Sequence, residues 1–205
     1  MAASPSGYEP LLPQAPPPVV VVSPQFCAPD VVPLTVTKKV ASLSGGDFTV
    51  TDPSGAVVLQ FKGSVWSVRN RRVLLDAARQ PILTMHEKVF RGESSSASDL
   101  LFTVKRSTLL QLRTEMDVFL AAGNTAKQKQ ACDFKMKGSY FDRNCAFYLG
   151  DSDTMIAQIS RKYTASNVLL GKDTFNVTVF PGVDHVFVTA LVVVLDEVHS
   201  RDRNY

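Results

Sequence analysis

The stretch that decides the fold is "VFVTALVVVLDEVH", residues 186 to 199, whose first ten residues, Val186 to Leu195, carry no charge and are almost all aliphatic. A helix crossing a bilayer needs roughly 20 apolar residues to traverse about 30 Å of hydrocarbon. This run is bounded by Asp184 and His185 before it and by Asp196 and Glu197 after it, so it is too short to span. Its valines favour a strand, yet it exceeds the usual strand of about 5 to 6 residues. Local signals favour a helix. Pro181-Gly182 ends the preceding strand pattern, Asp184 suits an N-cap, and His199 suits the negative end of the helix dipole. A helix over residues 184 to 199 is apolar on every side through its middle, and such a helix has to be wrapped by protein. A closed sheet is the natural wrapper.

The chain before it supplies a sheet. From Leu34 to Phe180 the dominant pattern is period 2, as in Phe48/Val50, in Phe134/Met136 with Lys135 and Lys137 between and after them, and in Phe175/Val177/Val179. "DFTVTDPSGAVVLQFKG" predicts a hairpin turning at Asp52 to Gly55, and "RVLLDAARQPILTMHEK" one turning at Asp76 to Gln80. "AFYLGDSDTMIAQISRK" predicts a third, turning at Asp151 to Asp153, and repeated hairpins at this spacing indicate a meander that closes or sandwiches. Residues 92 to 98 ("GESSSAS") and 124 to 130 ("NTAKQKQ") read as solvated loops.

With 205 residues and 45% apolar content, the chain suits one domain with a sizeable core. Nine of its twelve prolines fall in residues 1–33, where only Glu9 and Asp30 are charged. That composition predicts a disordered, proline-rich tail over 1–33, a single domain over 34–199 and a short polar tail over 200–205. Net charge is +3 with a pI near 8.8, and this mild basicity gives no support to direct DNA binding. Cys27, Cys132 and Cys145 are an odd count with no C-x-x-C, which disfavours a disulfide framework or a zinc cluster and suits a reducing, intracellular compartment. The N-terminus lacks a basic n-region and a signal-length apolar run, so the expected location is cytoplasmic.

The residues also carry a family likeness. "FRGES" (90–94), "LLFTVKRS" (100–107), "DVFLA" (117–121), "FKMKGSYFDRNCAFYLGDS" (134–152), "IAQISRKY" (156–163) and "GKDTFNVTVFPGVDHVFVTALVVVLDEV" (171–198) occur in order, and together the chain resembles the plant LURP-one-related family. The resemblance implies a mainly β fold: a roughly twelve-stranded closed antiparallel barrel around a central C-terminal helix, as in tubby C-terminal domains and phospholipid scramblases. Val188, Leu191, Val192 and Leu195 would then plug the barrel. It further implies a non-enzymatic role in plant defence signalling. Such a protein would bind phosphoinositide or a protein partner, and could be tethered to membrane peripherally and released towards the nucleus like tubby-related transcription regulators. A scramblase-like lipid mover is the alternative. Two departures stand out. The tryptophan usual before "FRG" is replaced by His86-Glu87-Lys88-Val89, which predicts a shortened or bulged strand. Only Asp173 and Asp184 remain of the aspartates that scramblases carry before the helix, too few for calcium's six to eight oxygens.

No catalytic, cofactor or metal constellation is legible. There is no G-x-S-x-G, His86, His185 and His199 lack metal-like spacing, and "ASNVLLGKD" has Ser166 and Asp173 where a phosphate-binding loop needs Gly and Ser or Thr. The remaining candidates are basic clusters: Arg69, Arg71 and Arg72; Lys105 and Arg106; Arg161 and Lys162. A few such side chains near an anionic membrane gain on the order of 1 kcal/mol each. Alternation turns Lys105 and Arg106 to opposite faces. Cys27, in the expected tail, is a candidate acylation site by analogy with scramblase tails.

Overall fold

The computed structural model of the chain describes residues 17–39, 47–63, 71–86, 88–107, 114–121, 131–139, 144–161 and 173–202. Twelve strands follow in chain order: β1 (Val32–Lys38), β2 (Phe48–Thr51), β3 (Val57–Gly63), β4 (Arg72–Asp76), β5 (Pro81–Met85), β6 (Lys88–Arg91), β7 (Leu100–Arg106), β8 (Thr114–Leu120), β9 (Phe134–Ser139), β10 (Asn144–Leu149), β11 (Met155–Arg161) and β12 (Asp173–Val179). Each pairs antiparallel with its sequence neighbours, and β1 closes the ring against β12 over seven residues, from Val32↔Val179 to Lys38↔Asp173. The expected closed twelve-stranded barrel is present.

Alternation decides which side chains enter. Leu34 and Val36 of β1, Phe48 and Val50 of β2, and Phe175, Val177 and Val179 of β12 are buried, while Thr35, Thr37, Thr49 and Thr51 between them face outward. The three predicted hairpins form at their turns. Asp52 accepts from the Ser54 hydroxyl at 2.6 Å and Ala56 N–H at 3.0 Å, Asp76 accepts from Gln80 N–H at 2.8 Å, and the Ser152 hydroxyl donates to Leu149 O at 2.6 Å. β6 is short and its pairing with β7 shifts register between Val89 and Phe90, as the departure at residues 86–89 predicts. Residues 92–98 form a turn leading to a single 3-10 turn, Ala97–Asp99, and residues 124–130 lie outside the described set.

The lumen is filled by α1 (His185–Asp202). Val186, Phe187, Val188, Thr189 and Ala190 are 0% exposed, and Leu191, Val192 and Leu195 no more than 3%. Phe187 meets Phe102 edge-on at 5.1 Å and Phe134 at 4.8 Å, and Thr189 satisfies its hydroxyl by donating to His185 O at 2.7 Å. Asp184 caps the helix, with Oδ1 accepting from Val186 N–H at 3.1 Å and Phe187 N–H at 3.0 Å. α1 continues to Asp202, three residues past its expected end, because "HSRDRNY" contains no Gly or Pro to stop it.

Residues 17–33 depart from the expected tail. Val19 pairs with Val183, Cys27 bridges to Asp184, and Val22 is 4% exposed. The cause is Asp184, whose Oδ2 accepts from the N–H groups of Val22 at 2.7 Å, Ser23 at 3.2 Å and Val21 at 3.4 Å. Arg91 donates to Val22 O at 2.7 Å and the His185 ring bonds Phe26 O at 2.6 Å. The segment is therefore a strap across the mouth where α1 begins.

Candidate anion-binding rim

In an up-and-down antiparallel barrel, every second connection lies at the same rim. The ends of β1, β3, β5, β7, β9 and β11 and the starts of the strands that follow them share one rim, and α1 leaves the barrel there. Two ion pairs fix that exit. Lys38 Nζ meets Asp196 Oδ2 at 2.6 Å and Arg72 Nη1 meets Glu197 Oε2 at 2.5 Å, with all four side chains at most 17% exposed. The two acids sit near the negative end of the helix dipole, so these buried charges need their cations.

Around the same rim stand Lys39 after β1, Lys62 near the end of β3, Lys88 opening β6, and Lys105 and Arg106 ending β7; all five are exposed. Lys105 lies over the Phe119 ring at 5.0 Å and pairs in register with Asp117 on the outer wall. Arg106 belongs to the inward-facing row of Phe102 and Val104, so the two neighbours do diverge. Acids are few here. Asp47 is occupied by Gly63 N–H at 2.9 Å, Asp196 and Glu197 are paired, Glu115 lies one residue inside on β8, and Asp173 opens β12. The opposite rim, under the strap, is the reverse: Asp30, Asp52, Asp76, Glu93, Asp99, Asp133, Asp151 and Asp153 stand against Arg79, Arg91 and Lys135. Among the described residues, charge is thus polarised along the barrel axis.

The three basic clusters fare differently. Arg72, β7's Lys105 and Arg106, and the backbone of Arg161 at the end of β11 arrive at one rim although they are distant in sequence. Arg72 is held inward by Glu197, and Arg71 turns along the outer wall to donate to Glu93 O at 3.0 Å. The side chain of Arg161 and residues Arg69 and Lys162 lie outside the described set. Lys39, Lys62 and Lys88 lie outside those three clusters and reach the same rim through the meander. Cys27 lies half-buried in the strap, where its thiol donates to Val19 O at 3.6 Å, and burial, with a smaller effect from the Asp184 charge, raises its pKa. Val188, Leu191, Val192 and Leu195, the expected plug, are no more than 3% exposed.

Among the described residues no three His, Cys, Asp or Glu side chains are grouped to hold a metal ion, and no helix is long and apolar enough to cross a membrane.

Comparison with known proteins places this architecture. The family model described as LURP-one-related matches residues 32–196. Protein LURP-one-related 15 of Arabidopsis thaliana is 45% identical over 193 residues, covering 90% of this chain and 88% of the relative. Protein LURP1 of the same plant is 40% identical, covering 89% and 91%. An X-ray structure of an Arabidopsis thaliana protein superposes with a TM-score of 0.69 at 39% identity, covering 88% of this chain and 98% of that one. A barrel threaded by its own C-terminal helix and a family match over nearly all of it lead to one conclusion: the chain belongs to the LURP-one-related family.

Proposed function

We propose that this protein is a non-catalytic signalling module that docks its basic rim on membrane surfaces bearing phosphoinositides. The observation that carries the reading is the gathering of exposed Lys39, Lys62, Lys88, Lys105 and Arg106 at one rim, with most described acids at the other. A dipolar body of this kind orients in the field of an anionic surface, and each Lys or Arg near it contributes on the order of 1 kcal/mol. A role in defence signalling, and a tubby-like cycle of tethering and release, belong to the same reading and draw on the family name and the barrel. The scramblase-like alternative is disfavoured, because extracting α1 would break the Lys38–Asp196 and Arg72–Glu197 pairs and empty the core.

The test is charge reversal at exposed positions, which leaves packing intact. Lys39→Glu with Lys62→Glu and Lys88→Glu is expected to weaken binding to phosphoinositide vesicles by about 100-fold or more, from roughly 1 kcal/mol per site. Reversal without effect would remove the rim from the account.

A further inference from the structure

We propose that the opposite, strapped end of the barrel is a docking surface for a basic amphipathic segment of a protein partner. Singly exposed apolar residues are ordinary on protein surfaces, and a cluster of them is not. Among the described residues the exposed large apolar side chains are Val20, Val31, Val57, Leu149 and Met155, and all of them lie at this end.

Hydrogen bonds join four of the five into one arc. Leu149 N–H donates to Thr154 O at 3.0 Å, which sets Leu149 beside Met155 across the β10–β11 hairpin. Phe180 N–H donates to Ile156 O at 3.0 Å, so the residue after Met155 adjoins the turn that leads into α1. Val31 precedes the Val32↔Val179 pair and so comes level with Phe180. Gly182 N–H donates to Ala28 O and Val19 N–H to Gly182 O, both at 2.8 Å, drawing Val20 of the strap to the same turn. The hairpin is pinned from below by Gly150 N–H on Asp133 O at 2.7 Å. These side chains are held out on a fixed backbone.

Charge selects the occupant. Asp30 adjoins Val31, and Asp151 and Asp153 lie between Leu149 and Met155. Asp151 is paired with Lys135, whereas Asp30 and Asp153 are exposed and make no ion pair among the described residues. An acidic border repels an anionic membrane and acidic peptides, and the apolar arc requires a non-polar face opposite. A segment with apolar residues at helical spacing and flanking Lys or Arg meets both demands. A second copy meets only one, because its basic rim presents no exposed large apolar residue among those described. This end is remote from the basic rim, so the inference stands or falls independently of lipid binding.

The experiment pans a displayed library of random peptides of about 16 residues, some four helical turns, on the full chain. Peptides enriched in Lys and Arg with apolar residues at i, i+3 and i+4 are expected. Their affinity should fall about tenfold or more on Leu149→Ser with Met155→Ser, and also on Asp30→Asn with Asp153→Asn, while Lys62→Glu leaves it unchanged. All the substituted side chains are solvent-facing, and an unchanged unfolding midpoint confirms that each variant is folded. The inference is overturned by an absence of enrichment, by acidic or uncharged selected peptides, or by affinity indifferent to both pairs of substitutions. Self-association of the chain that the same substitutions dissolve would identify a second copy as the occupant and overturn it equally.

Discussion

Replacing Asp184 by alanine removes the acceptor on which two distant parts of the chain converge. Its carboxylate is 0% exposed and receives five backbone N–H groups, two from the first turn of α1 and three from the strap. The Val21 and Ser23 bonds are partly exposed, and water replaces the lost acceptor there at little cost. Val22, Val186 and Phe187 N–H are buried and stay unsatisfied, at about 1 to 3 kcal/mol each, so the expected loss is about 3 to 9 kcal/mol. For a chain of this size that lowers Tm by roughly 6 to 36 °C. Asparagine does not rescue, since its NH2 group must face N–H donors on one side or the other. Denaturant unfolding followed by circular dichroism measures the loss, and hydrogen exchange at Val22 should rise with it. A loss below about 1 kcal/mol, or strap amides that stay protected, would refute the view that this carboxylate holds strap and helix together.

Other perturbations have equally definite outcomes. Leu191→Asp places an isolated carboxylate in the barrel centre, costing several kcal/mol against a total of about 5 to 15, and should abolish folding as read by circular dichroism. Arg72→Ala breaks the buried Arg72–Glu197 pair and should cost about 3 to 5 kcal/mol in denaturant unfolding, while Arg72→Met with Glu197→Met recovers most of it. Gly138→Ala sets a Cβ at 2.3 Å from Asn144 O on a backbone with φ +154°, so a large drop in Tm is expected, where an ordinary surface change would give almost none. Burial pushes the Cys145 thiol from 9.0 up to about 12. The folded state therefore keeps a proton that the unfolded state loses, so its contribution is whole below pH 9 and is lost as pH rises towards 12. The slope is about 1.4 kcal/mol per pH unit in that window. Cys145→Ala should flatten that slope, and the native thiol should resist thiol reagents until unfolding.

Local rules made the barrel legible. The ten uncharged residues of α1 excluded a surface helix, three turn sequences marked hairpins, and Asp184 read correctly as an N-cap. The second role of Asp184 was not legible, because its strap partner Val22 lies 162 residues away and "VVVV" among prolines resembles a tail. The rim was half legible. Clusters such as Lys105-Arg106 stand out in sequence, whereas Lys39, beside Lys38, and the isolated Lys62 and Lys88 gain meaning only when the meander assigns them to one end. Arg72 shows the converse. Its place in a basic run suggested a surface contact, yet its inward parity on β4 delivers it to Glu197.

The polarised barrel is tested most directly by co-sedimenting the full chain with vesicles, neutral against phosphoinositide-containing, across a salt series. Binding confined to the phosphoinositide vesicles, and weakening as the Debye length falls from about 10 Å at 0.1 M salt towards about 3 Å at 1 M, is the expected result. Absence of binding, or equal binding to both vesicles at every salt concentration, would contradict it.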